Sequence, residues 1–348
     1  GALVGIVGSD VVTLTQSGTF AQTGVGTNIA ITSTSTIGGA NAGNYTLIQP
    51  TLIARNITPA TLTITANNQT VAFGTPVATV TGNGSYTATG FVNGETSAVI
   101  GGSATYTTTY TATTAAGTAG VTITPVVTGL TATNYSFITA NGTVTISKAN
   151  STITATGTTT FTYTGAPQGP SSSTKSGSTG EVTYSYSGTG STSYGPSSTR
   201  PTNAGTYQVI ATVAADANFN AATSDALAFT INRAALTVTA DSQTKIYGDS
   251  DPALTFQVTT GSLVPGDQFT GSLARSTGEN VGAYAINQGT VANANYSITY
   301  ESANLTITPR DLTITADDKS KTYGAANPTL TFTYSGLVNG NTAVSTLP

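Results

Sequence analysis

The sequence has 348 residues, a net charge of −4 and only 7% charged residues, so it offers no basic patch for nucleic acid or an anionic membrane surface. His, Cys, Met and Trp are all absent, which removes Ser-His-Asp and Cys-His nucleophile systems, thiolate metal sites and His-ligated metals. Thr is the commonest residue, at 76, and the β-branched and aromatic residues are spaced as strands. The composition therefore predicts small folded all-β units with uncharged, hydroxyl-rich surfaces.

In chain order, residues 1–59 read as the C-terminal part of a unit. Residues 11–14 and 28–31 have strand composition, turns gather at Gly24, Gly26, Gly38 and Gly39, and Asn44-Tyr45-Thr46-Leu47 precedes a strand near 51–57. Residues 60–148 form a complete unit with a turn at Phe73-Gly74-Thr75-Pro76 and a hairpin-favouring Asn93-Gly94. Strands are expected at 105–110, 121–123, 135–138 and 143–146. Residues 149–234 are a variant unit in which 169–180, rich in Ser, Thr and Gly, is expected to be a long surface loop. Residues 235–309 repeat the pattern with Tyr247-Gly248-Asp249-Ser250-Asp251-Pro252. Residues 310–348 restart it with Tyr323-Gly324-Ala325-Ala326-Asn327-Pro328 and hold the N-terminal part of a further unit. No window sustains a 3.6-residue apolar period, so any helix is expected to be one or two turns.

One stretch marks the joins. In Asn304-Leu305-Thr306-Ile307-Thr308-Pro309-Arg310-Asp311-Leu312-Thr313-Ile314-Thr315, apolar residues alternate with Thr on both sides of a proline that cannot donate to a sheet ladder. The same transition occurs at Ile57, Ile146 and Ile231, at intervals of roughly 75 to 90 residues, the signature of a tandem array. About four residues separate Ile57 from Leu62 and Ile307 from Leu312, too few for a flexible tether. The expected architecture is a linear tandem array of small β-sandwich modules, immunoglobulin-like or β-grasp-like, with little or no helix.

These motifs resemble a known group. Lys321-Thr322-Tyr323-Gly324 with Asn327-Pro328, after Leu312-Thr313-Ile314-Thr315-Ala316, is similar to the opening of the YGX-type MBG domain found in tandem in large bacterial surface adhesins. Lys245-Ile246-Tyr247-Gly248 with Asp251-Pro252 matches the pattern, and Val71-Ala72-Phe73-Gly74 with Pro76 matches it with Phe for Tyr. In 149–234 the equivalent Tyr163-Thr164-Gly165 departs from Tyr-Gly. Val7-Gly8-Ser9-Asp10, Gly18-Thr19-Phe20-Ala21, Val25-Gly26-Thr27, Ala42-Gly43-Asn44-Tyr45-Thr46-Leu47 and Ile57-Thr58-Pro59 resemble the C-terminal part of the YDG repeat. The resemblance implies β-rich modules of long secreted stalks and carries no catalytic residues.

Chemistry in the remaining residues is sparse. Glycoside hydrolysis needs two facing carboxylates, and Glu95, Glu181, Glu279, Glu301 and ten Asp are scattered over five units, so an enzyme is not expected. The best cation candidate is Asp249-Ser250-Asp251, helped by Asp241 or Asp267. Calcium takes roughly six to eight oxygens, and a polar turn fixed by Asx hydrogen bonds is the plainer reading. Asp317-Asp318 beside Lys319 and Lys321 reads as a solvated turn. Tyr45, Tyr135, Phe219 and Tyr296 each follow an Asn and precede a strand. A ring there could stack on sugar, but its recurrence points to a core anchor, with the Asn serving the turn.

No catalytic, cofactor-binding or metal residues are assigned, and no cofactor is expected. With no apolar run near the ~18 residues of a membrane span, this segment is not expected to insert in a membrane. Neither end respects a unit boundary, which suggests an excerpt of a longer chain whose partial units are completed by more of the same polypeptide or by a neighbouring copy. The functional expectation is the structural stalk of a large secreted adhesin or extracellular filament at the cell surface, partnered by other copies or further repeats. Host or environmental glycans or proteins would be engaged through regions outside these residues. The alternative is a repetitive glycan- or protein-binding array acting through avidity.

Overall fold

The computed structural model describes residues 1–342. It is all-β, as the sequence predicts, and the one α-helix among the described residues is the six-residue Val77–Gly82. The alternation of Thr with aliphatic residues gives each main strand one buried face. In Ala60–Ala66, Leu62, Ile64 and Ala66 are buried and the threonines between them are not. The same holds for Leu236, Val238 and Ala240 in Ala234–Ala240, and for Leu305 and Ile307 in Ala303–Thr308.

By its contacts the chain divides into two compact units. The first comprises Gly1–Ser151, Gly177–Gly180 and Ala214–Ala221. Its opening residues form three two-stranded ladders: Thr13–Thr15 with Thr36–Gly38, Gly18–Phe20 with Ile31–Ser33, and Gly26–Ile29 with Arg55–Ile57. Residues 45–54 pair with no strand, so the strand expected near 51–57 is confined to its last three residues.

Beyond residue 59, two sheets pack face to face. One runs in the order Thr105–Thr108, Thr122–Val126, Gly142–Ser147, Gln69–Ala72; the other places Ala60–Ala66 between Tyr135–Ala140 and Tyr86–Thr89. Tyr135–Ala140 is parallel to Ala60–Ala66, with Leu62 opposite Phe137. Two apolar clusters fill the interior, one around Leu62, Ile64, Leu130 and Tyr135, the other around Val80, Tyr110, Ile123, Val144 and Ile146. At the end of this unit, Ala149 and Phe219 form a parallel bridge. Asp216 folds the adjoining turn by accepting from the amides of Thr179, Asn218 and Phe219. Those amide donors hold its carboxyl well below the usual carboxylate range.

The second unit comprises Thr152–Ser176, Glu181–Val213 and the chain from Ala222 onward. Its first sheet runs Thr160–Thr162, Leu227–Asn232, Gly205–Val213, Val182–Gly188, with Ala222–Thr223 also paired to Gly205–Val213. A second sheet places Ala234–Ala240 between Phe256–Thr260 and Tyr296–Glu301, and the latter strand is again parallel, with Ala234 opposite Tyr296. A third runs Gln243–Ile246, Ala303–Thr308, Gly282–Asn287, Ala274–Arg275. Thr313–Ala316 and Phe332–Ser335 form a hairpin.

The long loop expected over 169–180 is not what forms. Ser172–Ser176 is a strand, antiparallel to Thr152–Thr156 over five residue pairs. Small hydroxyl side chains fit a pleated surface that is mostly exposed, and the neighbouring edge supplies the main-chain partners that loop composition alone does not reveal.

Leu305 is fully buried in a cluster with Ala240 and Ile286. Leu305→Ala is expected to destabilise the second unit by about 2–5 kcal/mol, read from urea unfolding, whereas Thr306→Ala on the opposite face should change stability by less than about 0.5 kcal/mol.

Candidate functional site at the repeat junctions

The aspartates singled out as cation ligands are committed to separate partners. Asp249 pairs with Arg310, whose Nε also donates to the Tyr247 carbonyl at 2.7 Å. Asp251 accepts from Lys245 Nζ at 2.6 Å and from Arg275 Nε at 2.5 Å. Glu279 closes a four-membered ring of charges, accepting from Lys245 at 2.6 Å and pairing with Arg275. Asp241 accepts from Gln257 at 3.4 Å. Asp317 accepts the Thr331 hydroxyl. Among the described residues no three carboxylates converge to hold a metal ion.

The charge ring was not visible as a motif. Lys245 occupies the inward position of its strand, and its side chain is only 4% exposed. A lysine at a core-facing strand position was the available signal, since a buried ammonium requires counter-charges. Its carboxylate partners donate no protons and accept from both cations, so Asp251 and Glu279 are held below their ordinary values by the hydrogen bonds from Arg275 and Lys245.

The aromatic residues that follow each Asn form a recurring corner. Tyr296 is buried, and its hydroxyl accepts from Val264 N–H at 2.8 Å and donates to Asp267 at 2.7 Å. Tyr135 is buried too; its hydroxyl accepts from Val92 N–H at 3.1 Å and donates to Glu95. Tyr45, only half-buried, accepts from Val7 N–H at 2.9 Å and donates to Asp10 at 2.8 Å. Each tyrosine thus clasps a turn that opens with Val and ends, three residues later, in a carboxylate. Phe219 has no hydroxyl and is half-buried, and no such turn is clasped there.

The asparagine before three of these aromatics, at positions 134, 218 and 295, works in two directions. Its main-chain carbonyl accepts from an amide at the start of its own repeat: Ala60 to Asn134 at 3.0 Å, Ala149 to Asn218 at 2.9 Å and Ala234 to Asn295 at 2.9 Å. Its side-chain Oδ1 reaches a loop of the preceding repeat. Asn134 accepts from Val25 N–H at 3.1 Å, Asn218 from Ala116 N–H at 3.0 Å and Asn295 from Ala204 N–H at 2.9 Å. The sequence reading gave this side chain to its own turn; the structure gives it to the neighbour.

Rings meet at the same joins. Phe73 packs edge-on against Phe219, centroids 5.4 Å apart, and Tyr163 against Tyr296 at 5.4 Å. Such edge-to-face pairs contribute beyond their buried area. Tyr163 also donates its hydroxyl to Asp267 at 2.9 Å, so one carboxylate binds two phenols. Burial, with that carboxylate alongside, pushes the Tyr163 phenol up to about 12. Beside it Gly165, at φ +76°, lies so near that a Cβ there would sit 2.5 Å from Val264 Cγ1. Gly248, at φ +88°, is placed alike: its Cβ would lie 2.4 Å from Val338 Cγ2, while Tyr247 OH accepts from Asn341 at 3.1 Å. At Gly165 and Gly248, then, one repeat receives the valine turn of the next.

Apart from the joins, the first 52 residues carry an apolar groove of about 760 Å³, lined among others by Leu3, Val12, Leu14, Ile37 and Leu52, with no carboxylate in its wall.

Comparison with known proteins assigns domains at the two ends of the chain. The model of the MBG domain (YGX type) matches residues 236–306 and 312–347, and the model of the YDG domain matches 1–52. These segments are MBG and YDG domains. The MBG matches begin at Leu236 and Leu312, on the alternating strands Ala234–Ala240 and Thr313–Ala316 or just before them, and both contain a Tyr-Gly pair. A search of curated proteins finds no match. Among solved structures, the chain is similar to Drosophila N-cadherin EC1-4 at 9% identity, covering 81% of this chain and 83% of that one, with a TM-score of 0.23.

Two outcomes check this geometry. Tyr296→Phe removes a hydroxyl bonded to both an amide and a carboxylate, and is expected to lower the stability of its MBG domain by about 1–3 kcal/mol in urea unfolding. The charge ring sets a pH dependence. Because the folded state depresses Asp251 and Glu279, their contribution is complete above the ordinary carboxylate range and is lost as acid protonates them. The melting temperature should therefore stay flat from pH 7 to about 5 and fall below about pH 4, and Glu279→Gln should make that fall smaller.

Proposed function

We propose that this chain is part of the structural stalk of a large secreted bacterial surface adhesin or extracellular filament, spacing and assembling rather than catalysing. The observation that carries the reading is the asparagine whose Oδ1 bonds the preceding repeat at three successive joins. A spacer must transmit position from one module to the next, and a hydrogen bond at each join, backed by ring contacts at two of them, does so. Connections are also short. Two residues separate Arg55–Ile57 from Ala60–Ala66, and Arg233 alone separates Leu227–Asn232 from Ala234–Ala240. Such lengths leave little tether entropy.

MBG and YDG domains fit extracellular repeat proteins, which supports a location outside the cell. Further repeats of the same chain are the natural partners in this reading. The rings once available for sugar stacking are engaged elsewhere: Tyr135 and Tyr296 lie in the interior, and Phe219 meets Phe73.

Small-angle scattering on chains of increasing repeat number tests the proposal. The maximum dimension is expected to grow by a nearly constant step for each MBG domain added. A dimension that saturates, or that spreads as a flexible chain's does, would count against a stalk. Micromolar binding of one intact MBG domain on a glycan array would favour an avidity array instead.

A further inference from the structure

Four loops of this chain share one construction, and three of them already hold a partner. Val25, Ala116 and Ala204 each stand before a glycine and donate their amide to the asparagine of the following repeat. The fourth loop is Asn280-Val281-Gly282. It matches Asn203-Ala204-Gly205 in detail: Tyr284 OH donates to the Asn280 carbonyl at 2.8 Å as Tyr207 OH does to Asn203 at 2.8 Å. Gly282 stands opposite Ile307 in its sheet as Gly205 stands opposite Ile231. Val281 is 53% exposed, and its N–H has no acceptor among the described residues.

The other half of this join is partly assembled. At the Tyr163 join, the valine turn 264–267 sits on Gly165, and the corner that clasps this turn, Asn295-Tyr296, supplies both the ring on Tyr163 and the Oδ1 on Ala204. At Tyr247, the turn Val338-Asn339-Gly340-Asn341 already sits on Gly248, and Asn341 bonds the Tyr247 hydroxyl. A corner that clasps that turn is thereby carried to Val281.

We propose that Val281 N–H and the Tyr247 ring form a docking site for an Asn-aromatic corner borne by the MBG module that opens at Leu312, on the same polypeptide. The asparagine Oδ1 accepts from Val281 and the aromatic ring packs edge-on against Tyr247. The seated valine turn favours this source over a second copy, because at the Tyr163 join the turn on the glycine and the corner that clasps it belong to one module. This inference rests on reading the joins as connectors of a stalk.

Hydrogen exchange on a completed module is the test. Residues 342–348 are replaced by a second copy of residues 268–309, which places Asp267's successor directly after Asn341; a second chain uses residues 96–147 for the same purpose, in case one graft fails to fold. The Val281 amide is expected to exchange at least about tenfold more slowly in the extended chains than in the 348-residue chain. Asn→Ala at the grafted corner alone, at the position copied from Asn295, should restore the fast rate. Fast exchange at Val281 in both extended chains overturns the proposal, and so does slow exchange that survives the Asn→Ala change. Slowing in the unextended chain as its concentration rises assigns the site to a second copy and overturns the same-chain source. If the proposal fails while the scattering step per repeat persists, the stalk reading stands without this site.

Discussion

The structure depends on an asparagine that faces two ways. Its main-chain carbonyl takes the first amide of its own repeat, at Ala60, Ala149 and Ala234, so the opening strand cannot slip relative to the strand that follows the corner. A slip of one residue would turn every buried Leu and Ile of that strand outward. The parallel register, with Ala60 opposite Tyr135 and Ala234 opposite Tyr296, starts at this bond. From the same residue the side chain leaves the repeat altogether and fixes the loop of its neighbour. Folding of one repeat thus presents the group that joins it to the one before.

The few charges are spent at comparable points. Asp267 receives the phenols of two different repeats, and Lys245, Arg275, Asp251 and Glu279 neutralise each other in a ring beside the Tyr-Gly turn. Groups that are costly to desolvate have their partners supplied, as a part-buried charge demands. The remaining surface is mainly Thr, Ser and Gly, whose small side chains suit exposed strand faces without drawing counter-ions.

Much of this was legible in the sequence. Alternation in Leu62-Thr63-Ile64 and Leu305-Thr306-Ile307 specified both the strand and its buried side, because the pleat admits no other reading. The recurrence of Asn-Tyr before a strand located the corner. What it bonded was not legible. An asparagine beside an aromatic satisfies a local turn as readily as a distant amide, and only the fold brings Ala204 to Asn295. The run 169–180 misled for a related reason: Ser and Gly are turn formers by local preference, yet main-chain pairing to Thr152–Thr156 overrides preference where a free edge is near. Lys245 fell outside the motif logic because its partners, at positions 251 and 279, lie on separate turns.

The join between repeats is chemically one-sided. At the Tyr163 join one face offers an amide hydrogen and an aromatic ring; the other offers a carbonyl oxygen and a valine turn. A face of donors cannot satisfy another face of donors, so the contact has no two-fold symmetric form. It belongs to the heterologous class, which propagates in one direction and does not close on itself as a dimer does. A polypeptide built from such joins carries a sense, with a leading and a trailing end defined at every repeat.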